Sequence, residues 1–247
     1  MKQWQKYLAE LLGTFVLVMG GSLAILGGGG TIEIAFGFGL ALLAGLYAFG
    51  EVSGGHFNPI LSLAAFLDRR LTALETIWYW ISQFVGAILA SLVILVTYAD
   101  SDKVGATANH PSGTDIRSFV FEIVVAAIFV AVFLQVTRST SYSGQALLVI
   151  PLTLTAIHLA TLGVTSTGVN PARSFAPVLL SGDHWGSIWI YILAPPIGAI
   201  VGWVAHMVTV RGDTALTDDL ARAASDMRGV DMGDIKQGPG GGTPPAS

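Results

Sequence analysis

The chain has 247 residues, 53% of them hydrophobic and only 11% charged, with a formal charge of −4 and a mean hydropathy of +0.67. A soluble domain carries roughly 25% charged residues, so the composition excludes one and indicates a polytopic, all-α membrane protein. The absence of cysteine excludes a disulfide framework, thiolate chemistry and Cys-based metal sites.

In chain order, Met1–Lys6 is basic, but the apolar run after it is long enough to span and reads as a retained helix rather than a cleavable signal. Six spans of about 20 apolar residues follow: roughly Trp4–Leu26, Ile32–Phe49, Leu74–Tyr98, Ile116–Thr137, Gln145–Leu162 and Trp185–Val210. Two shorter runs interrupt them. Asn58-Pro59-Ile60 opens a run that reaches Leu67, and Asn170-Pro171-Ala172 opens one that ends at Ser181-Gly182. Asn is a preferred helix N-cap and Pro suits the first helical position. Ten helical residues rise only about 15 Å, half a hydrocarbon core, so each run reads as a re-entrant half-helix beside a polar cavity. The chain is polar from Gly212 onward, and 211–247 is expected to be a cytoplasmic, disordered tail. A short amphipathic helix near 216–227 is conceivable within it.

The two Asn-Pro pairs lie 112 residues apart, and the same offset relates Glu10 to Glu122, Tyr79 to Tyr191, and Gly86-Ala87-Ile88 to Gly198-Ala199-Ile200. The chain is therefore an internal duplication in one channel-sized domain, 1–210, with repeats at about 4–98 and 116–210. Three spans per repeat is an odd number, so the second copy is inverted and the half-helices meet near the midplane from opposite faces. Lys2, Lys6, Arg69, Arg70, Arg138 and Arg211 fall on one side and Lys103 and Arg117 on the other. The positive-inside rule then places both termini in the cytoplasm.

Ionisable residues inside spans are costly and need a partner or a cavity. Glu10 and Glu122, each 48 residues before an Asn-Pro pair, are read as acids that brace irregular loops by accepting their backbone N–H groups. Tyr79 and the tryptophans are read as packing or interfacial anchors, and Gly198 and Gly202 as a close-packing stripe. Asn58 and Asn170 need only their side-chain oxygens for capping, which leaves amide donors for a passage. Two half-helix N-termini with amide donors attract neutral oxygen and repel cations. No Ser/His/Asp set, metal cluster or phosphate loop lies in the spans, so no enzyme, catalytic residue, cofactor, metal site or nucleic-acid partner is expected.

Asn-Pro-Ala-Arg in an inverted six-span duplication resembles the aquaporin (major intrinsic protein) family over about residues 4–210. Ser53-Gly54-Gly55-His56-Phe57-Asn58-Pro59 and Asn170-Pro171-Ala172-Arg173-Ser174 are similar to its bacterial water-channel branch. The resemblance implies a selectivity filter of Phe38, His158, Thr167 and Arg173. It also implies pore-lining carbonyls on Gly54, Gly55, His56, Phe57, Ser166, Thr167, Gly168 and Val169. It further implies a homotetramer in the cell membrane, each protomer a passive pore for water and small neutral solutes. His158, and Ser174 after Arg173, point to water over glycerol. Ile60, where the first motif has Ala in most members, adds bulk beside the half-helix junction. Tyr191-Ile192 stands where water channels more often have two aromatics. A glycerol-passing channel, a poorly conducting structural member and an inverted-repeat carrier remain rivals, the carrier with only Glu10 and Glu122 for cation sites.

Overall fold

A computed structural model describes residues 2–138 and 143–211 of the chain, so all but the first residue of the tail expected at 211–247, with its conceivable helix at 216–227, lies outside the described residues. Every regular element among them is helical, and six helices are long and apolar enough to cross a membrane. They are α1 (Gln3–Leu26), α2 (Thr31–Gly45, carried on to Ser53), α5 (Ala73–Tyr98), α7 (Asp115–Arg138), α8 (Ala146–Thr165) and α10 (from Ile188). Between them lie the short α4 (Pro59–Leu67) and α9 (Pro171–Ser181), and a five-residue helix α6 (Ser101–Gly105) in the longest connection.

The second span does not stop at Phe49. Gly50 stays in right-handed helical geometry, and a π-helical turn at Leu46–Gly50 leads into α3 (Glu51–Ser53). The chain leaves the helix only at Gly54, whose φ of +94° a side chain would resist. The fifth span likewise runs past Leu162 to Thr165, where Ser166 turns left-handed at φ +54°. Local chemistry sets the other ends. Thr72 and Glu75 form a reciprocal capping box for α5, and Gly182, at φ +80°, closes α9.

The spans pack through small residues. A methyl group on Gly86 would collide with the Leu11 carbonyl of α1, and one on Gly198 with the Ile123 carbonyl of α7. Lipid tails are as apolar as the side chains, so this backbone approach supplies the contact energy that water-driven burial supplies elsewhere. The outward faces stay apolar and exposed, as at Leu40, Val96, Ile116 and Leu152. Trp78, Trp185 and Trp189 are also outward.

At the end where Lys6 approaches Glu75 at 3.9 Å, Arg70 clamps the exit of α4 to α7. Its Nε donates to Asp68 at 2.7 Å, and its other nitrogens reach the Thr137 hydroxyl and the Leu134 carbonyl. The half-helix is thereby fixed at its C-terminal end as well as at its cap.

Candidate functional site

The two half-helices meet at their N-termini. Asn58 Oδ1 accepts from the Ile60 N–H, and Asn170 Oδ1 accepts from the N–H groups of Ala172 and Arg173. Pro59 and Pro171 occupy the first helical positions, where the missing N–H costs nothing. Each amide then reaches across. Asn58 Nδ2 donates to the Val169 carbonyl at 3.0 Å, and Asn170 Nδ2 donates to the Phe57 carbonyl at 2.9 Å. One hydrogen of each NH₂ is therefore committed to the opposite loop, and one is left. The expectation of wholly free donors is corrected to that extent.

The loops feeding these caps are held from below. Glu10 accepts from Ser53 Oγ (2.6 Å), the N–H groups of His56 (2.9 Å) and Phe57 (2.7 Å), and Gln83 Nε2 (2.7 Å). Glu122 accepts from Thr165 Oγ1 (2.6 Å) and the N–H groups of Gly168 (2.8 Å) and Val169 (2.7 Å). Phe57, Ser166, Thr167 and Val169 all hold positive φ, between 47° and 54°, which costs a non-glycine residue about 1–2 kcal/mol each. The carboxylates supply the partners that make such backbone tolerable. Of the two roles read for Tyr79, packing and interfacial anchoring, packing holds, and its repeat counterpart Tyr191 is placed alike. Both are buried, and their hydroxyls donate to the carbonyls of Ser53 and Thr165. Trp80 Nε1 likewise donates to the Pro59 carbonyl.

A narrow cavity runs past the junction, lined by Phe38, His56, Asn58, His158, Gly168, Asn170 and Arg173 with the apolar Leu17, Leu42, Phe129 and Leu154. Its volume is about 10 Å³, room for about one water molecule. Of the carbonyls expected along it, those of Phe57, Val169 and Ser166 accept from Asn170, Asn58 and Asn109. Those of Gly54, Gly55, His56, Thr167 and Gly168 take no bond from a protein donor among the described residues. Ile60, fully buried, packs into the hydrophobic core and does not line the cavity.

Toward the other mouth, Phe38 and His158 stack at 4.4 Å between ring centroids, and the Arg173 guanidinium lies 5.0 Å over the Phe38 ring. The three side chains close on one another here. Thr167, the fourth residue of the expected filter, is buried with its hydroxyl 2.9 Å from that of Thr161 and is not among the side chains that line the cavity. His158 Nδ1 lies 2.9 Å from the Leu154 carbonyl. A carbonyl only accepts, so Nδ1 carries the proton, and in the neutral ring Nε2 is an acceptor. That Nε2 and the Arg173 Nε–H are both buried without a protein partner. Such groups are normally satisfied, so the residues of the constriction hold one acceptor and one donor that no protein atom meets among the described residues.

A family model for major intrinsic proteins matches residues 1–206. The chain belongs to the major intrinsic protein family. Members of that family are channels rather than enzymes. Relatives include glycerol uptake facilitator protein-like 6 of Lactiplantibacillus plantarum, 38% identical over 204 residues. Aquaporin Z of Photorhabdus laumondii is 38% identical over 218 residues, and aquaporin Z of Brucella melitensis 37% over 214. Each match covers 80% of this chain and 94% of the relative. The solved structure of the aquaglyceroporin from Plasmodium falciparum superposes with a TM-score of 0.76 over 88% of this chain and 99% of that one, at 21% identity, which speaks to the fold alone.

Two residues of this major intrinsic protein went unread in the sequence. In the loop after α6, the Thr107 carbonyl and Asn109 Oδ1 accept from Arg173 Nη1 at 3.0 and 2.8 Å, while Asn109 Nδ2 donates to the Ser166 carbonyl at 2.6 Å. Asn109 thus ties the guanidinium to the loop that precedes it. A buried polar side chain in a connection carries no periodic signal, and its partner lies 64 residues away.

Proposed function

We propose that the chain is a passive water channel, selective for water over glycerol and closed to ions and protons. The filter is Phe38, His158, Arg173 and the Thr167 backbone. One observation carries the reading: a cavity with room for about one water is lined by His158 and Arg173, whose buried Nε2 acceptor and Nε–H donor have no protein partner among the described residues. A water molecule both donates and accepts, so it can bridge that pair and replace the Phe38–Arg173 contact as it passes. Glycerol carries three carbon atoms through the same gap and would have to displace the stacked rings. The remaining hydrogens of Asn58 and Asn170, at two helix N-termini, favour a neutral oxygen over a cation. Arg173 adds fixed positive charge.

Glu10 and Glu122 are structural in this reading, because three or four donors converge on each and neither lines the cavity. The channel domain is 1–210 as two repeats, in the cell membrane with both termini cytoplasmic, and it assembles as a homotetramer, as the family likeness and the uneven distribution of basic residues support. The second reading, a channel that also conducts glycerol, draws on the name of the Lactiplantibacillus relative.

Stopped-flow water and glycerol permeability of purified protein in liposomes tests the choice. The expected result is fast, uncoupled water flux with little glycerol flux, and loss of discrimination when Arg173→Val and His158→Ala are combined. Native glycerol flux rivalling that of water removes the filter assignment.

A further inference from the structure

Beyond the constriction the passage widens into a vestibule of about 210 Å³, lined by His110, Ser112, Ser166, Arg173 and apolar residues. The ring of His110 lies 5.5 Å from that of His184, with 23° between the planes, and neither belongs to the constriction. We propose that His110 and His184 form a two-ligand site for Zn²⁺ or a similar imidazole-seeking dication, and that an ion bound there caps the vestibule.

The spacing is that of a bis-imidazole site. With Zn–N bonds of about 2.0–2.1 Å, each ring centroid lies about 3.2 Å from the ion, and a tetrahedral angle puts the centroids about 5.2 Å apart. The centroids, 5.5 Å apart, are close to that separation and come from segments 74 residues apart in the chain; the rings are stacked at 23°, so each must turn about its side-chain bonds to aim a nitrogen at a shared ion. Both backbones are pinned. The His110 carbonyl accepts from Ser166 Oγ at 2.9 Å, and the His184 carbonyl accepts from the N–H and hydroxyl of Ser187 at 3.1 and 3.2 Å. His184 sits at φ +63°, a left-handed conformation that histidine adopts more readily than most residues. His110 Nδ1 faces the Ala108 carbonyl at 3.4 Å. A long N–H contact of that kind favours the tautomer whose Nε2 lone pair is free, the second-shell pattern of metal-binding histidines. Both side chains are exposed, so solvent waters complete the coordination. Zinc suits imidazole nitrogen, and the chain has no cysteine to compete for it.

The test uses tag-free protein with ZnCl₂. Isothermal titration in detergent is expected to give saturable binding near one ion per chain. His110→Ala and His184→Asn should each weaken it at least tenfold; Asn is chosen because it tolerates positive φ. This arm needs no water flux, so it stands apart from the proposed function. In liposomes with zinc on both faces, native water flux should fall at least threefold and return with EDTA. Each variant, compared with its own zinc-free rate, should resist. Absence of binding, or equal binding by native protein and both variants, overturns the site. Binding that depends on both histidines but leaves native flux unchanged overturns the capping. A native protein without water flux that still binds zinc through both residues supports the site and removes the channel reading instead.

Discussion

The two loops that carry the Asn-Pro pairs are alike in what holds their backbone and unlike in what surrounds them. Glu10 and Glu122, Ser53 and Thr165, Tyr79 and Tyr191, and Asn58 and Asn170 make the same bonds at the same offset. By that offset, however, Arg173 answers to Leu61, His158 to Leu46, Phe38 to Ile150 and Gln83 to Pro195. Leu46, Leu61 and Ile150 all belong to the hydrophobic core. The duplication therefore preserved the scaffold that keeps two strained loops open and let the lining diverge. Where the second repeat places a cation and a histidine, the first has leucines, and the Phe38 position of the first is an isoleucine in the second.

The largest test of this comparison is at the acids. Both oxygens of Glu10 accept two donors, whereas Oε2 of Glu122 accepts only the Val169 N–H. In Glu10→Gln the new NH₂ faces a backbone N–H whichever way it is turned, and the Ser53 hydroxyl or the Gln83 amide beside it must also reverse its role; in Glu122→Gln it can be turned to face the Val169 N–H alone. At about 1–3 kcal/mol per frustrated buried donor, Glu10→Gln should be the more damaging, by several degrees of melting temperature in detergent. Equal melting shifts would break the asymmetry inferred for the two carboxylates.

Next comes the pair His56 and Gly168. A Cβ on Gly168 would meet the Tyr191 ring and lie 3.0 Å from Glu122 Oε2. His56, at the same place in the first repeat, already has a ring packed 5.1 Å from that of Tyr79. Gly168→Ala is expected to destabilise by about 1–3 kcal/mol through overpacking and to slow water flux. His56→Ala should retain more of that flux, since the loop there is built around a side chain. A Gly168→Ala protein with native flux and melting would show that the second loop relaxes more readily than its bonding indicates.

The smallest effect sharpens the symmetry rather than the difference. Tyr79→Phe and Tyr191→Phe each delete one hydroxyl donor, to Ser53 and Thr165 respectively. Losses of about 1 kcal/mol each are expected, equal within error by thermal melting. A loss at one site alone would mean that the two tyrosines are not equivalent braces.

Much of this was legible from spacing. Apolar length gave the six spans to within a few residues, because hydrocarbon thickness sets the length of any helix that crosses it. Asn-Pro pairs gave both half-helices, since capping is decided by residues adjacent in the chain. The repeat offset pointed to Glu10 and Glu122 before any contact was known. The sequence alone thus determined the number of spans, the two capped half-helices, the duplication and the family likeness, all of which depend on local pattern or on residues compared at a fixed interval. Tertiary structure alone decided that Tyr79 and Trp80 brace a loop, that each Asn amide gives one hydrogen to the opposite loop, and that Phe38 closes on Arg173. It also placed Asn109 under the guanidinium and His110 against His184. Each of these is a contact between distant segments, governed by how closely helix backbones approach through glycine and by where two left-handed loops turn, and no short stretch of sequence encodes that.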